Sequence, residues 1–191
     1  MRSDHRHHSH AGSSSEGLME AERTLRKCGL KPGDVMLDAG CGPGYFSFAA
    51  SKIVGPSGKV YAVDIWEDGI AAVRQRIEQK GITNMEAVVA DLTEGAPFEH
   101  ATVDLCFMAN VMHGFVINNE LDAAMNEISR MLKPGGRLAV VEWKKIDSPG
   151  PPIDERLAPQ EVMDALSAFG YEKTLKDEVG QYHYCVFFIK Q

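Results

Sequence analysis

Residues 35–50 read VMLDAGCGPGYFSFAA, and this stretch decides the fold. Val35, Met36 and Leu37 form a short apolar run that reads as a buried strand, closed by Asp38. Gly40, Gly42 and Gly44 then alternate with Cys41 and Pro43, and Phe46, Phe48, Ala49 and Ala50 open a helical pattern. A strand that breaks into a glycine turn and enters a helix brings bare backbone close to a ligand, because glycine tolerates the turn's dihedral angles and has no Cβ in the way. The helix start adds unpaired N–H groups and a positive dipole end, which suit a carboxylate or phosphate.

Outward from this turn the pattern repeats. Lys59–Asp64 (KVYAVD) is a second apolar strand ending in an acid, and residues 85–91 (MEAVVAD) are a third. Residues 103–110 (VDLCFMAN) and 137–143 (RLAVVEW) read as a fourth and a fifth. Helical periodicity lies between them, in Ile70, Val73 and Ile77 and again in Leu121, Met125, Ile128 and Leu132, the latter stopped by Pro134-Gly135-Gly136. Such alternation implies βαβ units and an α/β fold, a parallel sheet with helices on both faces. Val162, Ala165, Leu166 and Phe169 mark a last helix. The final two strand-like runs, Tyr171 to Val179 and His183 to Lys190, are too close for a parallel crossover and predict an antiparallel hairpin.

Ahead of the first strand, Leu18, Ala21, Leu25 and Cys28 predict an amphipathic helix. Residues 1–17 (MRSDHRHHSHAGSSSEG) predict a flexible His/Ser-rich arm, leaving residues 18–191 as a single domain. His-rich tracts can capture metal, but His5, His7, His8 and His10 have no partner ligands in sequence, so no metal site is expected.

The chain has 191 residues, 44% of them hydrophobic, enough for one well-buried core. A formal charge of −7 with no basic run argues against a nucleic-acid partner. Cys28, Cys41, Cys106 and Cys185 form no CxxC pair and are expected to be free thiols in a reducing, cytoplasmic setting. No membrane span is expected, and the sequence does not speak to oligomeric state.

Ligands of open α/β sheets bind at the carboxyl ends of the strands. Asp38, Asp64 and Asp91 fall at three such ends, and together with the glycine turn they point to a nucleoside, although any one alone reads as a turn or cap aspartate. The run GCGPG followed by bulky Tyr45 and Phe46 departs from a dinucleotide GxGxxG fingerprint and has nothing basic for a phosphate.

With LDAGCGPG, the acid in AVDI, ADLTE and LKPGGRLAVVEW in order, the chain from about residue 18 to 191 resembles the class I S-adenosylmethionine-dependent methyltransferases. Within these it is most similar to the small enzymes akin to ubiquinone/menaquinone-biosynthesis methyltransferases. The resemblance implies a Rossmann-like, seven-stranded, mostly parallel sheet with the C-terminal antiparallel hairpin. It implies S-adenosyl-L-methionine as cofactor and a small molecule as methyl acceptor. It implies that Gly40, Cys41, Gly42 and Gly44 pass under the cofactor's methionine part, supported by Asp38. Asp64 would hold the ribose, with Ile65 and Trp66 flanking the adenine, while Asp91 reaches the adenine amino group beside Leu92. Asn110 would lie near the sulfonium.

His113, in NVMHGF past the fourth strand, is the expected general base, and Glu142 a second catalytic candidate. The plainer readings are a packing histidine and a partner of Lys144 or Lys145. Tyr45 and Trp143 are expected in the core rather than stacked on a flat or cationic acceptor, and residues 1–20 with the 111–119 and 144–160 loops are expected to cover the pocket. A non-catalytic nucleoside-binding partner or sensor subunit is the competing function.

Overall fold

The computed structural model describes residues 15–191. The four histidines of the N-terminal arm, and the metal reading attached to them, lie outside the described residues. Seven strands form one sheet in the order β3-β2-β1-β4-β5-β7-β6. They are β1 (Val35–Ala39), β2 (Lys59–Asp64), β3 (Met85–Val89), β4 (Val103–Ala109), β5 (Leu132–Trp143), β6 (Tyr171–Glu178) and β7 (His183–Lys190). The first five pair in parallel, and β7 enters antiparallel between β5 and β6. The short turn before His183 produces this inversion, as the spacing required.

Among the described residues six α-helices cover the sheet: α1 (Ala21–Lys27), α2 (Tyr45–Val54), α3 (Glu67–Lys80), α4 (Met112–Ile117), α5 (Leu121–Met131) and α6 (Pro159–Ser167). Alternation along the central strands sends successive side chains to opposite faces. Met36, Val60, Leu105, Phe107, Ala139 and Val141 pack with α1, α2 and α3 in one core. Leu37, Val63, Cys106, Met108, Leu138 and Val140 pack with α4, α5 and α6 in the other. All four cysteines are buried free thiols, Cys28 and Cys185 with their sulfurs 3.6 Å apart.

Several boundaries differ from the sequence reading. The helix expected to stop at Pro134 ends at Met131, and β5 already begins at Leu132. Pairing of Val103 with Leu132 jumps to Leu105 with Arg137, so Pro134-Gly135-Gly136 is a bulge within the strand, Gly135 taking φ +71. The third strand ends at Val89 and the fourth at Ala109, which leaves Asp91 and Asn110 just beyond their strands. The expected 111–119 loop contains the short helix α4.

Candidate active site

The glycine turn folds by fastening itself to the next strand. Gly40 and Cys41 N–H groups both donate to the Val63 carbonyl, at 2.8 and 3.0 Å, and Gly44 N–H donates back to the Cys41 carbonyl. Gly40, Gly42 and Gly44 have φ of +72, +52 and +79, a region that L side chains rarely adopt. At Gly40 space agrees with conformation, since a Cβ there would lie 2.5 Å from Val111 Cγ2.

Asp64 locks the turn from the end of β2. Its Oδ2 accepts from Gly42 N–H at 2.8 Å and its Oδ1 from Trp66 N–H at 2.9 Å. An ionised carboxylate has about four acceptor positions, so room for two more hydrogen bonds remains. Trp66 lies flat against Gly69, where a Cβ would be 2.2 Å from the indole, and Ile65 beside it is exposed. Asp91 Oδ1 accepts from both the N–H and the hydroxyl of Thr93, and Leu92 is buried.

Asp38 is buried under the turn and accepts a hydrogen bond from the Ser47 hydroxyl of α2. Burial pushes its carboxyl up to about 7; the Ser47 bond opposes the shift, and the nearby Asp64 charge adds to it. Burial likewise raises the Cys41 thiol, so it is no nucleophile at neutral pH.

At the far side of the turn, Asn110 has a left-handed backbone, φ +61, and its N–H donates to the Val141 carbonyl. Its Nδ2 reaches Ser15 Oγ at 3.4 Å, while its Oδ1 is buried with no partner. One strand over, His113 and Glu142 meet. His113 Nδ1 lies 2.9 and 3.1 Å from the two Glu142 oxygens, and His113 N–H donates to Oε1 at 3.1 Å. Both side chains are buried. Burial works against a charged imidazole, but the Glu142 carboxylate outweighs it, and the His113 pKa is held above its ordinary value. The reading of Glu142 as a partner of Lys144 or Lys145 is overturned, because Lys144 pairs with Glu178 and Lys145 with Glu161.

Two residues here escaped the sequence reading. Arg156 is buried, and its guanidinium donates to the carbonyls of Lys144, Ile146, Ser148, Pro149 and Pro151 and to the Ser148 hydroxyl, fastening the loop after β5. His183 is fully buried against Trp143. The proline-rich run SPGPP at residues 148–152, just ahead of Arg156, was the available signal for the first; nothing in the local pattern marked the second. Tyr45 donates to the Met19 carbonyl at 2.7 Å instead of sitting wholly in the core, and so ties the segment before α1 to α2.

A seven-stranded sheet in this order, with a glycine turn after β1 and acids at the end of β2 and just after β3, defines a nucleoside-binding α/β domain of Rossmann-like topology. The chain belongs to the methyltransferase-domain family, which matches residues 30–188. A solved S-adenosylmethionine-dependent methyltransferase from Aquifex aeolicus is 32% identical, with a TM-score of 0.86 over 94% of this chain and 95% of that one. The ubiquinone/menaquinone biosynthesis C-methyltransferase UbiE of Hydrogenovibrio crunogenus is 34% identical over 121 residues, 63% of this chain and 46% of that protein. The chain spans about half the length of the curated relatives it matches. The N-methyltransferase NodS of Bradyrhizobium japonicum, solved with S-adenosyl-L-homocysteine, shares the fold at 18% identity, with a TM-score of 0.68 over 88% of this chain and 85% of that one.

S-adenosylmethionine is the cofactor of this domain, and the residues present fit it. The turn offers side-chain-free backbone, Asp64 keeps acceptor capacity for two hydroxyls, and the unpartnered Asn110 Oδ1 is an acceptor suited to a cationic group. Among the described residues no His, Cys, Asp or Glu grouping could hold a metal ion, and no helix is long and apolar enough to cross a membrane.

Proposed function

We propose that this chain transfers the methyl group of S-adenosyl-L-methionine to a small neutral acceptor, with His113 as the base. The observation that carries this reading is the buried His113–Glu142 pair next to Asn110, at the carboxyl edge of the sheet. S-adenosylmethionine supplies a methyl group already activated on a cationic sulfur. The protein's own work is to align the acceptor roughly 3–3.5 Å from that methyl, exclude water and take up a proton.

Asp64 holds the ribose, Ile65 and Trp66 flank the adenine, and Asp91 and Leu92 close its far edge. Gly40, Cys41, Gly42 and Gly44 carry the methionine part above Asp38, and Asn110 Oδ1 faces its charged end. Glu142 accepts the hydrogen of His113 Nδ1, which fixes the tautomer and leaves Nε2 basic. Nε2 takes the proton that the acceptor loses as its nucleophilic atom bonds to the methyl group. Glu142 then steadies the imidazolium, as the raised His113 pKa indicates. The relatives named for C-methyl transfer in ubiquinone and menaquinone biosynthesis favour a phenolic or quinol-like ring as the acceptor class.

The test is release of S-adenosylhomocysteine from S-adenosylmethionine in the presence of a panel of neutral phenols and quinols. Turnover with at least one, lost in His113→Ala while S-adenosylhomocysteine still binds, supports the assignment. Failure of the wild-type protein to bind S-adenosylhomocysteine by calorimetry overturns it.

A further inference from the structure

Among the described residues, buried side-chain nitrogens and oxygens without a hydrogen-bond partner belong to two residues only: Asn110, through Oδ1, and His183, through both Nδ1 and Nε2. Native proteins rarely leave such groups unsatisfied, and each exception asks for a cause. Asn110 has one in the cofactor. His183 lies on the other side of β5 from Asn110.

His183 is the first residue of β7 and stands opposite Trp143, the last of β5, in an antiparallel pair. It therefore stands at the carboxyl edge next to Glu142, but alternation along β5 and β7 turns Trp143 and His183 to the α1–α3 side of the sheet and Glu142 to the other. Its ring packs on the Trp143 indole, centroids 4.0 Å apart at 45°. The indole is also closed over by Gly150, where a Cβ would sit 2.8 Å from the ring, and flanked by the Arg156 guanidinium, 5.4 Å from its centroid. Burial, and then the positive charges of Arg156 and Lys144, push the His183 pKa down to about 4. A neutral imidazole presents one donor and one acceptor.

Position completes the argument. Asn110 follows β4, Glu142 and Trp143 end β5, and His183 begins β7, on three neighbouring strands. At about 4.8 Å per strand, His183 lies roughly 10 Å from Asn110 along the edge. The segment before α1 touches both ends of this span: Ser15 meets Asn110, and Leu18 lies against Gly180 in the turn before His183.

We propose that His183 is an acceptor-recognition residue, whose ring nitrogens hydrogen-bond a hydroxyl or carbonyl carried by the methyl acceptor at the end remote from the methylated atom. This rests on the methyltransferase reading. A site built to bond a hydroxyl rejects the analogue lacking it far more strongly than an apolar pocket distinguishes shapes. The acceptor class is thereby narrowed to neutral molecules with a polar handle.

The test uses full-length wild-type protein and His183→Phe, which keeps a flat ring on Trp143 and removes both nitrogens. Calorimetry with S-adenosylhomocysteine comes first, and its failure in the wild type sinks the methyltransferase reading rather than this one. Saturated protein is then titrated with phenol and with toluene, a pair that differs chiefly in the hydroxyl. In the wild type, phenol is expected to shift the imidazole nitrogen resonances of His183, whereas toluene leaves them in place. His183→Phe is expected to bind phenol at least fivefold more weakly, to bind toluene equally well, and to melt no lower than the wild type. Unmoved His183 resonances with phenol overturn the proposal, and that measurement needs no variant. Equal phenol affinity in the two proteins, or equal loss of phenol and toluene, overturns it as well.

Discussion

Asp38 holds its proton near neutrality because it is buried beside another acid, and this ties stability to pH. Its folded pKa of about 7 stands above the ordinary 3.8, so the folded protein binds more protons than the unfolded chain between those values. Stability from this group is full below about pH 4 and is lost as pH rises through 7. Asp38→Asn keeps a neutral partner for Ser47 and is expected to abolish that part of the slope. In urea melts the wild type is expected to lose up to about 4 kcal/mol relative to the variant between pH 4 and pH 8, at 1.36 kcal/mol per unit. A difference between the two proteins that does not change with pH would show that Asp38 is already ionised. Asp64→Ala is expected to weaken S-adenosylhomocysteine binding by one to two hydrogen bonds to a charged acceptor, about 1.5–3 kcal/mol each, read by calorimetry.

His113 gives a second pH signature, of opposite use. As a base it must be neutral, and Glu142 holds its pKa above the ordinary 6.5, so the rate is expected to rise with pH through an inflection above that value. Glu142→Gln removes the carboxylate charge and is expected to move the inflection down while lowering the plateau. His113→Ala is expected to cost about 10²–10⁴ in rate, and adding Glu142→Gln to it little more, because the two act as one unit. Additive losses in the double variant would separate the pair.

The elements around these residues were legible to different degrees. The glycine turn, the acids at the end of β2 and after β3, and the hairpin could be read from the chain because each obeys a local rule of dihedral freedom or loop length. The start of β5 could not. Leu132 continues a 3.6-residue pattern from α5, and only pairing with Val103 of β4 turns it into strand. The His113–Glu142 contact, 29 residues apart in sequence, is likewise a product of β4 and β5 lying side by side. His183 and Arg156 were hidden for the same reason, since their surroundings come from β5 and its loop.

Two substitutions probe single elements. Gly40→Ala meets both a left-handed φ and Val111 Cγ2 at 2.5 Å. The conformation costs about 1–2 kcal/mol and the overlap about 1–3 more, a loss measurable in urea, with cofactor affinity falling alongside. Arg156→Lys retains charge but not the planar fork that gathers carbonyls of residues 144–151. Hydrogen exchange is expected to quicken in that loop and to stay unchanged in β1 and β4. Exchange that stays slow in the loop would show that the cage is not what orders it.

At the scale of the whole molecule, the proposed function has one sheet edge serve two ligands. Strands β3, β2, β1 and β4 present the acids, the glycine turn and Asn110, while β5 and β7 present Glu142, Trp143 and His183. The central strands are buried on both faces, so neither half of the edge can shift without disturbing both cores. The pieces left to adjust are then those laid across the edge, the segment from Ser15 to Met19 and α4. Binding at the edge is therefore expected to raise global stability and to protect those pieces first. S-adenosylhomocysteine at 100 times its Kd stabilises the folded state by about 2.7 kcal/mol, which for a chain of this size is a rise in Tm of about 5–11 °C. Amide exchange in residues 15–19 and in α4 is expected to slow under the same conditions, in addition to the slowing that higher global stability brings to the core strands. A Tm that rises without protection of residues 15–19 would place that segment outside the closure, and the acceptor would then enter across it without displacing it.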